Sequence, residues 1–428
     1  MSLSARQRRA ALWALLATGF LFVNFHRTAT AVLADSLART FDATGSQLGF
    51  LHASFFYIYA TLQLPAGLVV DRYGSRWVGA AGLVVLSAGV FWFARSETLL
   101  AAFLARAVVG FGGSVLYIAT LRFCANWFRP NEYATMTGYT VSAAGVGGIL
   151  ATTPLALAID EVGWRLAILA TGMATAVGAV AIAGVVRDRP PQSADIVTPD
   201  PDGGRATLAD IAVNTRAVLG ELETWLMGLL LFLVLGVNFT VLGLWGVPFV
   251  ADIYGVSVAR ASTYVLLGNV GFVLGSPAFG TLSDRTGRRT ELVIVSAVVF
   301  ALAYAALMFI PPLPIVGLAL FCALIANGGV ALVFTIGKER HAPAVAGTVT
   351  GVINSLGYFG AAILPTVMGA VLDAYWTGEV LNGARVYTVT GYRVAFGIAT
   401  GAAVVAIVAA VVLHRRAVSE ESRVVTAD

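Results

Sequence analysis

Twelve apolar stretches of 18 to 28 residues run through the chain, separated mostly by short polar connections. The hydrocarbon core of a bilayer is about 30 Å thick, so a helix needs about 20 mainly apolar residues to cross it. Only 12% of the 428 residues are charged, against about 25% in soluble domains, whose surfaces must face water. The sequence therefore predicts an all-α membrane protein with twelve transmembrane helices. The predicted spans are residues 11–34, 46–70, 77–94, 98–122, 135–160, 164–186, 223–250, 261–280, 291–310, 313–336, 345–372 and 391–414.

The basic residues lie in clusters between these stretches. Because the number of spans is even, both termini are expected on the same side of the membrane. When residues at the ends of spans are counted with the nearer side, 19 of the 27 Lys and Arg residues fall on the side of the termini, six on the other side and two well inside spans. Short cytosolic loops carry the excess of positive charge. We therefore predict a multi-pass protein of the cytoplasmic (inner) membrane with both termini in the cytosol, and no nucleic-acid partner despite the net charge of +4.

An internal repeat divides the chain into two halves. Residues 67–76 follow the second span and match residues 280–289, which follow the eighth, at a shift of 213 positions. The same shift carries residues 134–138 onto 347–351. Two matched segments at one offset predict a duplicated six-helix unit with parallel halves. The predicted domains are an N-terminal bundle (1–186), a cytosolic linker (187–222), a C-terminal bundle (223–414) and a cytosolic tail (415–428).

The repeated G-x-L-x-D-R-x-G-R/K pattern resembles the hallmark loop of the major facilitator superfamily, and the resemblance covers the whole chain. It implies two six-helix bundles that rock around a cavity lined by spans 1, 2, 4, 5, 7, 8, 10 and 11. It also implies that the loop charges hold the cytosolic side shut; a plain solvated loop is the alternative. From the sequence, Gly67 and Gly280 are expected to allow close approach of a neighbouring helix. The predicted gating residues are Gly67, Asp71, Arg72, Arg76, Gly280, Asp284, Arg285 and Arg288.

Two arginines, Arg27 and Arg106, lie inside predicted spans. A charged residue in the hydrocarbon core costs at least about 2.5 kcal/mol, so it normally faces a cavity or a partner. At about 1.5 Å per residue, Arg27 lies roughly 24 Å from the cytosolic start of span 1, and Arg106 roughly 12 Å from the outer start of span 4. Since we find no Asp or Glu well inside a predicted span, the two guanidiniums predict a cavity that attracts carboxylate or phosphate groups. The alternatives are snorkelling for Arg27 and a structural role for Arg106.

Residues 24–27, 47–49, 59–67 and 71–72 are similar to the anion:cation symporter branch of that superfamily, which moves hexonates, hexuronates and other organic acids. The similarity to organophosphate antiporters is looser. Arg27 matches the span-1 arginine that contacts the acidic group of the substrate in that branch. The branch usually carries a glutamate soon after its span-4 arginine, but Gly113 and Ser114 stand there in this chain. The sequence therefore does not support the usual route of proton coupling.

Polar residues on the other expected cavity helices complete the predicted site, although each alone is also consistent with an interhelical hydrogen bond. His26 and His52 are candidate proton carriers, with packing as the alternative. The predicted substrate-binding residues are Arg27, Arg106, Tyr57, Tyr59, Gln63, Asn238, Asn354 and Tyr358.

These features together predict a secondary active transporter that moves a small organic anion by symport or antiport. The alternatives are a carrier of neutral or lipophilic compounds, including drug efflux, and a transporter-like ligand sensor. The sequence shows no metal cluster, nucleophile motif or Walker lysine, so we expect no enzyme activity, cofactor or metal. The expected partners are a small anionic substrate, a coupling proton or sodium ion, and the lipid bilayer. We expect a monomer.

Overall fold

The computed structural model describes residues 5–190, 208–342, 345–381 and 384–425. Residues 191–207 of the predicted linker and 426–428 of the predicted tail lie outside the described residues. The first half of the chain forms α1 (Ala5–Thr28), α2 (Thr30–Phe41), α3 (Gly45–Arg95), α4 (Leu99–Gly113), α5 (Leu116–Trp127), α6 (Pro130–Leu150), α7 (Thr153–Val162) and α8 (Trp164–Val185).

The second half of the chain begins with α9, which lies within the predicted linker. Its elements are α9 (Leu208–Leu219), α10 (Leu222–Thr240), a π-helical turn (Val241–Trp245), α11 (Gly246–Tyr254), α12 (Val258–Thr286), α13 (Arg289–Met308), α14 (Leu313–Val330), α15 (Val333–Glu339), α16 (Ala346–Ala374), β1 (Trp376–Leu381), β2 (Ala384–Tyr387) and α17 (Val389–Val425).

Eleven helical segments of the described residues are long and apolar enough to cross a membrane. The difference from the predicted twelve lies in α3, which has 51 residues. A straight helix of that length would measure about 77 Å, more than twice the bilayer core. The helix is interrupted at Gly74, where φ is 81° and ψ is 161°, a conformation that residues with a Cβ rarely adopt. The parts of α3 before and after Gly74 correspond to predicted spans 2 and 3, so the described residues account for all twelve predicted spans.

Five of the predicted spans are built from two helical pieces each. Spans 1, 4, 5 and 10 are α1 with α2, α4 with α5, α6 with α7, and α14 with α15, whereas span 7 is α10 and α11 joined by the π-helical turn. Such interruptions bend a helix and often occur at functional positions. All five belong to the set that the family resemblance places around the cavity.

The internal repeat is also visible in the helix packing. A Cβ on Gly147 of α6 would overlap the backbone carbonyl of Leu21 in α1. A Cβ on Gly360 of α16 would likewise overlap the carbonyl of Phe232 in α10. Gly147 and Gly360 are 213 residues apart, the shift seen in the sequence. The same glycine contact therefore joins span 5 to span 1 and span 11 to span 7.

The terminal face is the one at which α1 begins and α17 ends, and the other is the opposite face. On the opposite face, the loop between spans 11 and 12 forms an antiparallel hairpin of β1 and β2. Its buried Tyr387 packs edge-to-face on Trp245, with ring centroids 6.0 Å apart. The hairpin therefore packs on the end of span 7 at the opposite face.

Candidate functional site

A cavity of about 600 Å³ lies between the two halves. The closed end of the cavity is at Arg27 and Phe239, and the cavity extends to Asp71 and Lys338 at the terminal face. Helices of both halves contribute to its wall, among them α1, α3 and α6 from the first and α10, α12 and α16 from the second. The volume is within the range of about 300–1,000 Å³ that is usual for small-molecule sites.

Tight contacts between the two halves close the opposite face. A Cβ on Gly49 of α3 would overlap the carbonyl of Pro365 in α16, and one on Gly148 of α6 would overlap the side chain of Asn269 in α12. Gly148, in the glycine-rich end of span 5, therefore serves close packing. These contacts join the two halves between the closed end of the cavity and the opposite face. The structure is therefore open to the terminal face and closed to the opposite face.

A carboxylate from the second half adds to this closure. Asp373, at the end of α16, accepts hydrogen bonds from the backbone N–H groups of Gly45 (2.7 Å) and Ser46 (2.8 Å), the first residues of α3. Arg385 of the hairpin lies 3.6 Å from the same carboxylate. Helix N-termini favour negative charge. Asp373 therefore caps a helix of the other half.

Arg27 lies at the closed end of the cavity, and only 7% of it is exposed. Its guanidinium carbon is 4.2 Å from the ring centre of Phe239, and Nη1 is 3.5 Å from the hydroxyl of Tyr358. Its Nε has no hydrogen-bond partner. Within the described part of the chain, no carboxylate forms a salt bridge with it. Since a cation–π contact contributes only about 2 kcal/mol when desolvated, the charge remains available for an anion.

Aromatic rings form the wall beside this guanidinium. Phe239 and Tyr358 are stacked with centroids 6.0 Å apart, and Phe56 stacks on Phe239 at 5.7 Å. Tyr59 meets Tyr358 edge-to-face at 4.7 Å. These rings come from helices of both halves, so the wall depends on the halves staying together here.

Two polar contacts cross between the halves next to the aromatic wall. The side-chain amide of Asn354 donates to Oε1 of Gln63 at 2.9 Å, and the hydroxyl of Ser355 donates to the carbonyl of Ala60 at 3.0 Å. Asn354 and Gln63 both line the cavity. They thus present polar atoms to its contents while joining α3 to α16.

A second, small space of about 10 Å³ adjoins Arg27 on the side of the closed face. Its lining includes His52 and Asn269. His52 is fully buried, and neither ring nitrogen makes a hydrogen bond of normal geometry, although the carbonyl of Phe239 faces the ring. The volume is close to the minimum for one water molecule. It is therefore large enough for about one oxygen atom beside the guanidinium.

Five of the eight predicted substrate-binding residues line the main cavity: Arg27, Tyr59, Gln63, Asn354 and Tyr358. Other polar residues of its wall, among them Asn24, Asn327 and Lys338, were outside the predicted set of eight. Asn24 and Asn327 lie in spans expected to line the cavity, so span assignment was the signal that could have found them.

The other three predicted residues do not line either space. Arg106 donates to the carbonyl of His26 at 3.3 Å, within the first half. Asn238 accepts from the hydroxyl of Tyr304 at 2.8 Å, which joins α10 to α13. Tyr57 lies beside Phe50, with ring centroids 6.2 Å apart. These three side chains serve contacts within one half.

Two of the four predicted gating residues of the first half line the open mouth. Gly67 and Asp71 line the cavity, and Asp71 is 3.2 Å from Arg122 in a half-exposed ion pair. Arg72 lies against the ring of Tyr73, 5.5 Å from its centre. The Nε of Arg76 donates to the carbonyl of Ala183 at 2.7 Å, in the last span of the same half.

The predicted gating residues of the second half are more exposed. Asp284, Arg285 and Arg288 are all exposed. The expected close helix approach at Gly67 and Gly280 is absent, since a Cβ on either would have no atom within 4 Å. The reason is that the mouth is open on this face, which keeps the helix ends apart. The role of these loops in holding that face shut stays a prediction.

A family model described as Major Facilitator Superfamily matches residues 15–365. The membrane sensor protein UhpC of Salmonella typhimurium is 25% identical over 84% of this chain and 85% of its own length. The probable nitrate/nitrite transporter NarK2 of Mycobacterium tuberculosis is 28% identical over 84% and 88%. The probable sulfoacetate transporter SauU of Cupriavidus necator is 25% identical over 67% and 68%.

A solved structure has a similar fold. It is a bacterial homologue of the human lysosomal transporter Spinster, in an inward-facing and occupied conformation. The TM-score is 0.79 at 18% sequence identity, over 95% of this chain and 97% of that one. At this identity the likeness concerns the fold alone, and it agrees with the predicted pair of six-helix bundles.

Proposed function

The chain belongs to the Major Facilitator Superfamily, and we propose that it is a secondary active transporter that moves a small organic anion across the cytoplasmic membrane by alternating access. It is a multi-pass membrane protein of a superfamily of transporters, not an enzyme. The proposal concerns the substrate, the direction in which the cavity opens and the residues that bind.

Arg27 is the observation that carries the anion proposal. It is a buried cation at the closed end of the cavity, and no carboxylate of the described chain pairs with it. Removing an ion from water costs several kcal/mol unless a partner compensates it. A planar guanidinium binds a carboxylate, sulfonate or phosphate through two parallel hydrogen bonds. We therefore place the acidic group of the substrate at Arg27.

The surroundings of Arg27 fit a small organic anion. His52 lies across the small space beside it and offers a ring N–H to a substrate oxygen. Phe239 and Tyr358 supply an apolar wall for a carbon skeleton, and Gln63 with Asn354 supplies polar atoms further along the cavity. The names of two relatives point the same way, since they are described as probable transporters of nitrate or nitrite and of sulfoacetate.

Alternating access gives the two faces their roles. With both termini in the cytosol, as the basic residues predict, the cavity opens inward and Asp373 belongs to the outer closure. Turning outward would separate Asp373 from the first turn of α3 and bring the loops of Asp71 and Asp284 together. The halves would move as the proposed bundles 1–186 and 223–414, joined by the linker 187–222. A proton or sodium ion is the proposed coupling ion, and a monomer the proposed unit.

Uptake by proteoliposomes tests the proposal. Wild-type protein should take up radiolabelled sulfoacetate or glucuronate in preference to neutral glucose. Arg27→Ala should abolish this uptake, because it removes the positive charge and the N–H donors of the guanidinium. Arg27→Lys should retain part of it if charge alone matters, and little if the planar fork is required.

Arg165→Lys provides a matched control. Arg165 is a guanidinium of the same half that donates to the carbonyls of Ala94 and Ser96, away from the cavity. The Arg165→Lys variant should take up the anion like the wild type if the loss of uptake in the Arg27 variants is specific to that position. Anion uptake by Arg27→Ala equal to that of the wild type would contradict the anion site, and uptake of neutral or lipophilic compounds alone would favour the drug-carrier alternative.

A ligand sensor is the second candidate, and the match to the sensor protein UhpC favours it. A sensor would bind an anion at Arg27 without releasing it on the other side. Saturable binding by purified protein together with no uptake by proteoliposomes, under several ion gradients, would support sensing over transport.

A further inference from the structure

A groove of about 410 Å³ lies on the outside of the first half. It runs between the second part of span 2, the start of span 3 and the middle of span 4. Its rim includes Val69, Tyr73, Trp77 and Phe111, each at least 40% exposed. Pro65–Arg95 and Leu99–Trp127, the segments that form it, are both apolar enough to cross a membrane. The groove therefore faces lipid, in the leaflet on the side of the terminal face.

Small residues make the floor of this groove. Gly82 and Gly112 bring spans 3 and 4 into backbone contact, since a Cβ on Gly82 would be 2.7 Å from the carbonyl of Gly112. Ala66 and Ala81 also line it without filling it. The hydroxyl of Ser114, the polar side chain among the lining residues of span 4, donates to the carbonyl of Phe111 at 2.8 Å within its own helix. The surface is thus suited to a hydrocarbon chain.

Two guanidiniums lie at the end of the groove nearest the terminal face. The guanidinium carbon of Arg72 is 5.5 Å from the ring centre of Tyr73, and that of Arg76 is 4.6 Å from the ring centre of Trp77. Tyr and Trp concentrate at the level of lipid headgroups. An acyl chain in the groove would therefore place its headgroup beside these two arginines.

The other charges nearby leave this end positive. Asp71 is paired with Arg122 at 3.2 Å. The carboxylate of Asp188 accepts a hydrogen bond from the backbone N–H of Arg76 at 2.8 Å. Arg72, Arg76 and Arg122 thus carry three positive charges here. Asp71 and Asp188 carry two negative charges, which leaves one net positive charge at the headgroup level.

The repeat shows that this arrangement belongs to the first half. At the shift of 213 residues, Tyr73 and Trp77 correspond to Thr286 and Thr290, whereas Arg72 corresponds to Arg285. The second loop thus keeps the basic residue and lacks both aromatic rings. This difference provides an internal control for charge without a groove.

We propose that the groove between spans 2, 3 and 4 is a binding site for an anionic phospholipid, with an acyl chain over Ala66 and Ala81 and the phosphate at Arg72 and Arg76. The proposal rests on the membrane location of the family but not on the substrate of the transporter. It predicts selectivity for the lipid headgroup, which a merely apolar surface would not show.

Native mass spectrometry of the full chain in mild detergent tests this proposal. The protein would be equilibrated with phosphatidylglycerol and phosphatidylcholine that carry the same acyl chains. The wild type should retain phosphatidylglycerol in preference. Arg72→Gln should reduce this preference by about fivefold, which corresponds to about 1 kcal/mol for one arginine at a membrane surface. Ala81→Phe should fill the groove and reduce retention of both lipids.

Matched variants separate the site from general effects. Arg285→Gln removes the corresponding arginine of the other half, and Ala170→Phe adds a ring at an exposed position of α8. Both should retain lipid like the wild type, and all variants should melt within a few degrees of it in phosphatidylcholine if they are folded. Equal retention of the two lipids by the wild type, or equal losses in the controls, would overturn the proposal, as would a second copy of the chain covering the groove.

Discussion

Replacing Asp373 with Asn should open the face that is closed in this structure. The two carboxylate oxygens accept hydrogen bonds from the backbone N–H groups of Gly45 and Ser46, at 2.7 and 2.8 Å. These groups begin α3, so the charge also interacts with the positive end of that helix. Asn keeps a single acceptor oxygen and has no charge. Because Asp373 and Gly45 belong to different halves, the loss weakens the closed arrangement. Within the second half it removes the ion pair with Arg385 at 3.6 Å.

The magnitude follows from these contacts. A hydrogen bond to a charged group contributes about 1.5–3 kcal/mol, and a charge at a helix N-terminus about 0.3–1 kcal/mol when exposed. The side chain of Asp373 is 19% exposed, so solvent screens part of this. Because Asn still accepts one hydrogen bond, we expect a net loss of about 2 kcal/mol, which changes the ratio of closed to open molecules by about 30-fold.

Distance measurements between spin labels would report this shift. Glu97 and Glu379 are exposed on the opposite face, one in each half, and would carry the labels in a background without the two native cysteines. Asp373→Asn should add a population with a longer distance that is minor in the wild type. Glu161→Gln, which removes an exposed carboxylate from the same face, should not. An unchanged distance distribution in Asp373→Asn would refute the capping argument.

Two further predictions concern stability. Glu132→Gln should lower the melting temperature at pH 7, because the backbone N–H of Arg129 and the guanidinium of Arg9 lower the pKa of Glu132. Since the pKa of Glu132 in the folded protein lies below that in the unfolded chain, this stabilisation is present above about pH 4.3 and is lost as the pH falls through the folded pKa. A difference in melting temperature between wild type and variant that persists unchanged at pH 3 would contradict this prediction. Gly147→Ala should destabilise the protein by about 1–3 kcal/mol, because the added methyl group overlaps α1. Gly138→Ala in the same helix has open space around it and should be neutral or stabilising by up to about 1 kcal/mol. Equal denaturation midpoints of the two variants would show that the overlap is absent.

The arrangement of spans could be predicted from the sequence because lipid imposes a simple length and polarity on each helix. The repeat added the two halves, and the glycine contacts of Gly147 and Gly360 agree with its offset. The hairpin at Trp376–Leu381 and the π-helical turn at Val241–Trp245 were outside the prediction. Both depend on contacts with distant segments, which hydropathy along the chain does not report.

The candidate site could be predicted only in part, as the two arginines within spans show. Arg27 and Arg106 are equivalent in hydropathy and depth, yet Arg27 lines the cavity and Arg106 binds the carbonyl of His26. What separates them is the rotation of each helix about its axis, and a span that is apolar all round does not encode that rotation. His52 was visible as a histidine in span 2, but its position beside Arg27 required the packing of α3 against the π-helical turn.

Direct binding tests the central claim, that an anion occupies the position beside Arg27. Isothermal titration calorimetry of purified protein with sulfoacetate, glucuronate and nitrate, and with glucose as the neutral control, would compare the wild type with Arg27→Gln. The account predicts that at least one of the anions binds the wild type with a stoichiometry of one, and that Arg27→Gln weakens this binding at least about tenfold, because a hydrogen bond to a charged group contributes about 1.5–3 kcal/mol. Equal affinity of the two proteins for the anion would contradict the account.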